Sequence, residues 1–322
     1  MAPRQISIEP VDLPEPGPED VVVRVSHSGI SAGTELLAYR GQLEPGLALD
    51  ETLGTLAGTF DFPFRYGYSC VGRVERSGDH PAPGTLVFAY HAHQDRIVVA
   101  ADQVVALGDV DPRAATLLPL VETALQASLD AGTVAHQPVV VLGLGAVGTL
   151  IAALLARVGA VVSGVDPHDW RRDAAAAFGV AVLAPDELAG WVAKTSDGHG
   201  VPLVVEASGN PEALNGALGL LAHEGVALVV SWYGTHDVPL QLGSTFHRRR
   251  LTIRSTQVST IPAVLQDRWT VARRRTVAAA LLAELPLDAL ATHEFPFDDA
   301  SLAYAALDDG RPGLIHAALV YE

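Results

Sequence analysis

The pattern of apolar and polar positions changes along the chain near Leu120. Before that point, short runs of β-branched and aliphatic residues are separated by Gly and Pro, a pattern typical of strands in a β-rich domain. The predicted strands cover residues 21–25, 70–75, 84–90 and 96–99. Between the first two lies the long segment 42–64, which we expect to form a rim or lid, because ordered loops of that length usually have a function.

After Leu120, apolar strands alternate with helical patterns. The predicted helices are 122–131, one with apolar positions from Val147 to Val158, 169–178 and 212–221; the strands are 139–142, 160–165, 180–183, 203–205, 226–230 and 251–254. This alternation predicts a doubly wound parallel sheet with helices on both faces, an α/β fold. The tail returns to mixed structure, with helices at 273–285 and 300–307 and a strand at 315–320. We therefore predict a domain at 119–257, inserted into a second domain formed by 1–118 and 258–322.

The strand at 139–142 runs directly into the motif Gly-x-Gly-x-x-Gly, formed by Gly143, Gly145 and Gly148. In this context the first glycine permits a tight turn, the second lets backbone approach a pyrophosphate, and the third lets helix and strand pack closely. The following helix then directs its N-terminus at the phosphates. This pattern predicts a dinucleotide site that also includes Ala146 and Val147; the alternative is a tight turn with no ligand.

Asp166 ends the next strand, at about the distance expected for the acid that hydrogen-bonds an adenosine ribose. A carboxylate there repels a 2′-phosphate and favours NAD(H). Arg171 and Arg172 follow, and an arginine in this region can accommodate the 2′-phosphate of NADP(H). We expect NAD(H), with NADP(H) as the second possibility.

Composition narrows the class of partner. The chain has 322 residues, 49% hydrophobic and 18% charged, with a formal charge of -16. That charge argues against a nucleic-acid or anionic-membrane surface. Cys70 is the only cysteine, so neither a disulfide framework nor a Cys-rich zinc lobe is expected. Without a secretory signal or an apolar run long enough for a bilayer, we expect a cytoplasmic protein.

Three further segments carry a family resemblance. They are Ser-Gly-Ile-Ser-Ala-Gly-Thr-Glu-Leu-Leu at 28–37, Tyr-Gly-Tyr-Ser-Cys-Val-Gly-Arg-Val at 66–74, and Val-Glu-Ala-Ser-Gly-Asn-Pro at 205–211. Together with the layout they resemble the medium-chain dehydrogenase/reductase superfamily over nearly the whole chain. The first segment, with 91–96 and 246–253, is also similar to the subgroup that contains bacteriochlorophyllide 2-hydroxyethyl dehydrogenase.

The resemblance implies a Rossmann dinucleotide domain inserted in a GroES-like catalytic domain, and a small-molecule substrate. It implies that the nicotinamide lies beside residues at two strand ends, namely Ala207, Ser208, Gly209, Trp232 and Tyr233. Relatives commonly form dimers or tetramers, so a homo-oligomer is expected, and 238–242 is a candidate edge strand for such an assembly.

The chain departs from the zinc-dependent members of that family. Their cysteine ligand falls here at Ser31 or Ala32, and the His and Glu of their Gly-His-Glu segment fall at Tyr68 and Ser69. The four-cysteine structural zinc loop is missing. Because zinc needs three or four N, S or O donors that converge on one point, we expect no zinc site.

Without zinc, side chains must polarise a carbonyl and move a proton. The candidates are Thr34, Tyr68, His91, His93 and Glu122. Thr34 matches the family's hydroxyl relay position, and the two histidines, two residues apart on a predicted strand, would share one face. Each has a structural alternative: a turn hydroxyl for Thr34, core packing for Tyr68, plain hydrogen bonding for the histidines and a helix-start acid for Glu122.

These observations lead to three functional hypotheses. The first is a zinc-independent NAD(P)-dependent oxidoreductase that interconverts a secondary alcohol and a ketone on a small or medium organic substrate. The second is an NAD(P)H-dependent reductase of an activated C=C bond. The third is a nucleotide-binding sensor or scaffold that lost catalysis along with its zinc.

Overall fold

The computed structural model describes residues 2–78 and 80–322. By its contacts, the chain divides into two units. The first, here called the β-rich unit, runs up to Pro119 and resumes with Thr276–Glu322; the second, the parallel-sheet unit, is Leu120–Arg275. We retain 119–257 as the proposed extent of the dinucleotide domain, while the second change of unit in the structure follows Arg275.

The strands and helices that the structure describes follow the predicted change from a β-rich part to a part in which strands and helices alternate. The strands are β1 Asp20–Ile30, β2 Cys70–Arg76, β3 Leu86–Ala89, β4 Arg96–Ala100, β5 Val104–Ala106, β6 Pro138–Leu142, β7 Val161–Val165, β8 Ala181–Leu183, β9 Val201–Glu206, β10 Leu221–Val229, β11 Thr252–Ser255, β12 His293–Pro296 and β13 Ala317–Val320. The helices are α1 Thr34–Arg40, α2 Pro112–Ala115, α3 Leu118–Asp130, α4 Ala146–Arg157, α5 Asp169–Ala176, α6 Leu188–Thr195, α7 Pro211–Leu220, α8 Val271–Leu281 and α9 Ala300–Asp308.

The β-rich unit is built on one sheet with the order β12-β13-β1-β2-β3-β5, in which β4 pairs with β1. The long strand β1 is central, since it pairs antiparallel with β2, β4 and β13. Its apolar residues Val21, Val22, Val23 and Val25 are all buried, so this part of the strand is covered on both faces. The predicted β-rich character of this part of the chain is confirmed.

The segment 42–64 packs as part of the β-rich unit. Leu43, Leu49, Leu56 and Phe60 are buried and form a cluster with two residues of α1, and Tyr66 and Tyr68 pack against that cluster. The segment contains neither a helix nor a regular strand, and its backbone forms one isolated bridge, Ala48 with Thr59. Its own small core therefore holds this long loop in place.

The parallel-sheet unit has the strand order β8-β7-β6-β9-β10-β11, and every pair is parallel. Counted from the first strand of the unit, β6, this is the order 3-2-1-4-5-6 of a doubly wound dinucleotide fold. The predicted fold class is confirmed. In such a sheet the chain reverses direction of winding beside the first strand, and ligands bind at the carboxyl ends there.

Some elements were not predicted from the sequence. The short helices α1, α2 and α6 and the three- and four-residue strands β5 and β12 carry too few residues for a clear periodicity. The expectation of an edge strand at 238–242 is wrong, because that segment is not a strand, and Leu242 begins a π-helical turn, Leu242–Phe246. Within residues 2–78 and 80–322, no helix has the length and apolarity needed to span a bilayer.

Candidate active site

The glycine turn joins β6 to α4 in the geometry that the motif predicts. Gly143 has a φ of 91°, and a Cβ there would lie 2.6 Å from the Cα of Ser208. A Cβ on Gly148 would lie 1.9 Å from the carbonyl oxygen of Gly143, whereas one on Gly145 would have no atom within 4 Å. Two of the glycines thus serve close packing, and Gly145, the residue before the helix, faces open space.

The open space beside Gly145 lies at the N-terminus of α4, a helix of 12 residues. No side chain caps this terminus, so its first amides have no side-chain acceptor. Helix N-termini bind phosphate through such amides and through the helix dipole. The turn, with Ala146 and Val147 as the first helical residues, therefore fits the pyrophosphate of a dinucleotide.

Asp166 follows β7 and is 1% exposed. Its carboxylate accepts a hydrogen bond from the amide of Leu144 at 2.9 Å and another from the amide of His168 at 2.9 Å. Arg171 lies beside it, with Nη1 3.5 Å from Oδ2, and its guanidinium covers the ring of Trp170 at 4.8 Å. The acid is thus tied to the glycine turn, and the arginine borders the same site.

Glu206 ends β9 and is fully buried. Its Oε1 accepts hydrogen bonds from the Ser208 amide at 2.7 Å and the Ser208 hydroxyl at 2.5 Å, and its Oε2 accepts one from the Tyr233 phenol at 2.6 Å. Burial, then the hydrogen bond to Glu206 and its charge, raise the pKa of Tyr233, so the phenol stays neutral. This carboxylate fixes the turns that follow β9 and β10.

The remaining predicted cofactor residues lie in those turns. Ala207 and Ser208 touch the glycine turn, as the short distances from Gly143 and Gly148 show. Gly209 donates from its amide to the Ser231 hydroxyl at 2.8 Å. Trp232 is 44% exposed. All of them therefore follow strands β9 and β10 at the carboxyl end of the parallel sheet.

In the β-rich unit, Tyr68 and Thr34 come together. Thr34 is the first residue of α1, and the hydroxyls of Ser31 and Thr34 hydrogen-bond to the Tyr68 phenol. Burial and the nearby negative charge of Glu35 raise the pKa of Tyr68 to about 12, and the two hydroxyls lower it less. The phenol is therefore protonated near neutral pH and is able to donate a hydrogen bond.

A buried polar network lies next to this hydroxyl cluster. The carboxylate of Glu35, 1% exposed, contacts Nε2 of His93 at 2.9 Å, accepts the Ser31 amide at 2.8 Å, and accepts the Tyr304 phenol. Nδ1 of His93 lies 2.7 Å from the Ser28 hydroxyl, which lies 2.7 Å from the Tyr321 phenol. When the His93 ring is neutral and donates through Nε2, its Nδ1 accepts from Ser28.

This network borders a cavity of about 980 Å³ within the β-rich unit. Glu35, His93, Tyr304 and Tyr321 all contribute to its wall. Phe62 and Phe64, at the end of the long packed loop, also line it, so the predicted rim character of that loop applies to this cavity.

The structure separates the two candidate histidines. They lie in the connection between β3 and β4, so the prediction that they occupy a strand and share one face is wrong. Nδ1 of His91 contacts the carbonyl of Ala92 at 2.9 Å, and burial is the main cause that lowers the pKa of this ring. His93 alone joins the network with Glu35.

Glu122 lies on α3 in a buried ion pair. Its Oε1 is 3.0 Å from the guanidinium of Arg274, and both side chains are almost fully buried. Arg274 also donates to Gln126 and to the carbonyl of Val258. Removing one member of such a pair leaves an uncompensated buried charge, so this arrangement gives Glu122 a structural role.

Sequence reasoning missed Glu35, Ser28, Tyr304, Tyr321 and Glu206. Glu35 and Ser28 lie inside the segment that carried the family resemblance, and an acid directly after the hydroxyl relay position was the available signal. The two tyrosines are separated from their partners by 269 and 293 residues. No local sequence pattern indicates a contact between residues so far apart in the chain.

Comparison with known proteins agrees with this geometry. A family model described as zinc-binding dehydrogenase matches residues 146–274. The 2-desacetyl-2-hydroxyethyl bacteriochlorophyllide A dehydrogenase of Cereibacter sphaeroides is 28% identical, over 94% of this chain and 91% of that protein. The L-threonine 3-dehydrogenase of Stenotrophomonas maltophilia is 23% identical, over 98% of this chain and 96% of that protein.

Solved structures show the same fold. The 2R,3R-butanediol dehydrogenase of Bacillus subtilis superposes with a TM-score of 0.78 at 19% identity, over 99% of this chain and 97% of that chain. An alcohol dehydrogenase from Thermus sp. ATN1 gives 0.76 at 20% identity, over 100% and 98%. With the strand order, the glycine turn and the sequence relatives, these matches lead to one conclusion. The matches support a member of the medium-chain dehydrogenase/reductase superfamily, and the relatives named as dehydrogenases support an NAD(P)-dependent oxidoreductase of the alcohol dehydrogenase type.

Proposed function

We propose that this protein interconverts a secondary alcohol and a ketone on a small or medium organic substrate, with NAD(H) as the favoured cofactor and without zinc. The dinucleotide would be held by the glycine turn, by the N-terminus of α4 and by Asp166. The bound nicotinamide supplies the acceptor or donor of hydride. Asp166 supports NAD(H), and Arg171 beside it keeps NADP(H) as the second possibility.

The observation that carries the proposal is the position of Tyr68, whose ring packs against the cluster that includes α1 and whose phenol lies beside Ser31 and Thr34. Its phenol has a pKa raised to about 12 and lies against the Ser31 and Thr34 hydroxyls. A neutral phenol donates a hydrogen bond to a carbonyl oxygen, which polarises the carbonyl without a metal. In ketone reduction the phenol gives its proton to the alkoxide oxygen, and solvent then reprotonates the phenolate. Alcohol oxidation runs the same steps in reverse: the phenol first loses its proton to solvent, and the phenolate then takes the proton of the alcohol.

Glu35 and His93 act on Tyr68 as positioning residues. Glu35 accepts the amide of Ser31, whose hydroxyl touches the phenol, so it helps to fix that hydroxyl. Its negative charge opposes ionisation of Tyr68 and keeps the proton on the phenol. His93 and Tyr304 hold the carboxylate in place.

The donor set supports zinc independence. The positions of the family's ligands hold Ser31 or Ala32, Tyr68 and Ser69, and the Ser69 hydroxyl donates to the carbonyl of Thr116 at 2.7 Å. Burial raises the pKa of the neighbouring Cys70 thiol to about 12. In the described residues, no three His, Cys, Asp or Glu side chains are grouped as a metal site would need.

Two sequence relatives are named as dehydrogenases of a hydroxyethyl bacteriochlorophyllide and of L-threonine at carbon 3, which supports an alcohol as the substrate. Reduction of an activated C=C bond is the competing reaction. The two are separated by offering matched ketones and enones to the enzyme and identifying which bond receives the hydride.

We expect the Tyr68→Phe variant to lose at least about tenfold in kcat for ketone reduction, because the donor to the carbonyl is removed and one such donor is worth a factor of this size or more. NADH affinity should be unchanged, since Tyr68 is not among the residues proposed to hold the cofactor. Tyr90→Phe, which removes another phenol of the same unit, is the matched control. Equal activity in both variants would exclude Tyr68 as the proton donor.

We also infer a cytoplasmic homo-oligomer, a dimer or tetramer, with neither nucleic acid nor membrane as partner. The formal charge of -16 supports the exclusion of anionic partners. Light scattering of the purified chain measures the assembly; a monomer at micromolar concentration would contradict that part of the proposal.

A further inference from the structure

Glu206 carries a buried negative charge without a cationic partner. Three hydrogen bonds from neutral donors reach its two oxygens, two from Ser208 and one from Tyr233. Donors directed at both oxygens suit the ionised carboxylate, which only accepts. Among the residues that the structure describes, none forms an ion pair with it, in contrast to Glu122, which faces Arg274. The donors orient this charge but do not neutralise it.

The sheet places this charge under one half of the dinucleotide site. Glu206 is in register with Leu142, the last residue of β6, which runs into the glycine turn. Asp166 follows β7, on the other side of β6. A dinucleotide lies across the crevice at this switch in strand order, with its adenosine over the β7 side and its nicotinamide over the β9 and β10 side. Glu206 therefore belongs to the nicotinamide half.

Packing brings the segment that Glu206 holds close to the glycine turn. The backbone of Ser208, which Glu206 holds, touches the glycine turn, since a Cβ on Gly143 would lie 2.6 Å from the Ser208 Cα. The Tyr233 ring, held by the same carboxylate, packs against the core of the unit. In such an interior a charge is screened far less than in water.

We propose that the buried carboxylate of Glu206 makes the site discriminate between the oxidation states of its cofactor, by binding the oxidised dinucleotide more tightly than an uncharged side chain there would allow. The oxidised nicotinamide ring carries a positive charge and the reduced ring is neutral, so only the oxidised form gains from a nearby anion. This inference rests on the proposed use of a nicotinamide cofactor at this site. Glu206 is here a positioning and electrostatic residue, and it takes no proton in the reaction.

The test is a set of equilibrium affinities in the whole 322-residue chain, measured by calorimetry for NAD⁺, NADH and ADP-ribose. Glu206→Gln keeps the shape and removes the charge. We expect the ratio of the dissociation constant of NAD⁺ to that of NADH to rise by about tenfold, equivalent to about 1.4 kcal/mol. The affinity for ADP-ribose, which lacks the nicotinamide ring, should stay within about twofold of wild type.

Two comparisons separate charge from structure. Glu206→Asp keeps the charge and should retain the wild-type ratio, and Glu212→Gln, at the exposed start of α7, is the matched control. An equal loss for all three ligands in Glu206→Gln would show that Glu206 only maintains the fold of the site. An unchanged ratio with intact binding would also overturn the proposal.

If Glu206→Gln does not fold, Tyr233→Phe decides. That variant removes one donor, leaves the charge less shielded, and should lower the same ratio; no shift, or a rise, would contradict the proposal. Wild-type protein that binds neither NAD(H) nor NADP(H) would instead overturn the proposed function on which this inference rests. Wild-type protein that binds them without the expected response to Glu206→Gln would overturn the inference alone.

Discussion

At the scale of residues, the charge of Glu35 links a buried network to the phenol that we assign to the chemistry. Glu35→Gln removes that charge and should lower the pKa of Tyr68 from its value of about 12. An acid works only below its pKa, so the loss of ketone reduction at alkaline pH should begin at a lower pH in the variant. The measurement is the pH dependence of kcat. Glu44→Gln, an exposed acid of the same unit, should keep the wild-type profile, and an identical profile for both would contradict the coupling.

His316 gives a separate prediction about acid stability. It is buried, and burial lowers its pKa from 6.5 to about 4. The Thr116 hydroxyl donates to the carbonyl of Arg113 at 2.6 Å, so it accepts the proton of His316 Nε2. Between those two pKa values the unfolded chain binds a proton that the folded chain excludes, so stability falls as pH falls through this window. The full difference is about 3 kcal/mol, at 1.36 kcal/mol for each pKa unit.

His316→Gln should flatten this dependence, because the variant has no ring to protonate. Urea unfolding at about pH 7 and about pH 5 measures the effect as a smaller loss of stability on acidification than in wild type. The exposed His199→Gln variant is the control and should lose as much stability as wild type. A wild-type slope in His316→Gln would refute the assignment.

The sequence identifies some of the candidate residues of the site, but it does not show which of them belong to the site and which to the core. The hydroxyl at Thr34 and the phenol at Tyr68 stand in segments with a family resemblance, and the sequence placed them as candidates. Whether a polar residue serves a site or the core depends on its partner. The partner of Glu122 lies 152 residues away, and that of His93 lies 58 residues away. Contacts at such separations are set by the tertiary fold, which periodicity does not report.

At the scale of elements, the turn before α4 separates ligand binding from packing. Gly145→Val places its Cβ in open space, so the fold should remain while the branched side chain enters the region proposed for the pyrophosphate. NADH affinity should fall at least about tenfold with little change in melting temperature.

Gly148→Ala sets a Cβ 1.9 Å from a carbonyl oxygen and should destabilise the unit by about 1–3 kcal/mol. Titration and thermal unfolding of both variants distinguish the two effects; loss of stability in Gly145→Val would contradict this division.

The elements themselves were largely readable from the sequence. Strand β6 has a continuous apolar run, β7 is mostly β-branched, and α4 has apolar residues at helical spacing between a glycine turn and Arg157. The prediction of a strand at His91 and His93 is wrong, because alternating polar residues next to β4 look like a continuation of that strand. Strand β3 ends at Ala89 and β4 begins at Arg96, so both histidines lie between the two strands. A pattern with period two does not show where strand pairing ends.

At the scale of the whole molecule, the division into a β-rich unit and a parallel-sheet unit follows the change in the pattern of apolar and polar positions near Leu120. Each unit has its own buried clusters, with β1 at the centre of one sheet and β6 of the other. The assignment of chemistry also divides between them: the parallel-sheet unit carries the dinucleotide features, and the β-rich unit carries Tyr68 and its network. The central claim is that these two sets of residues perform hydride transfer without a metal.

The most direct measurement of that claim uses enzyme treated with a strong chelator and NADH carrying deuterium at C4 of the nicotinamide, with ketones and matched enones as acceptors. Mass spectrometry of the product locates the deuterium. We predict deuterium on the carbinol carbon of an alcohol, at a rate unchanged by chelator or by added Zn²⁺. Transfer that is abolished by the chelator and restored by Zn²⁺, or deuterium found only on a former C=C carbon, would contradict the account.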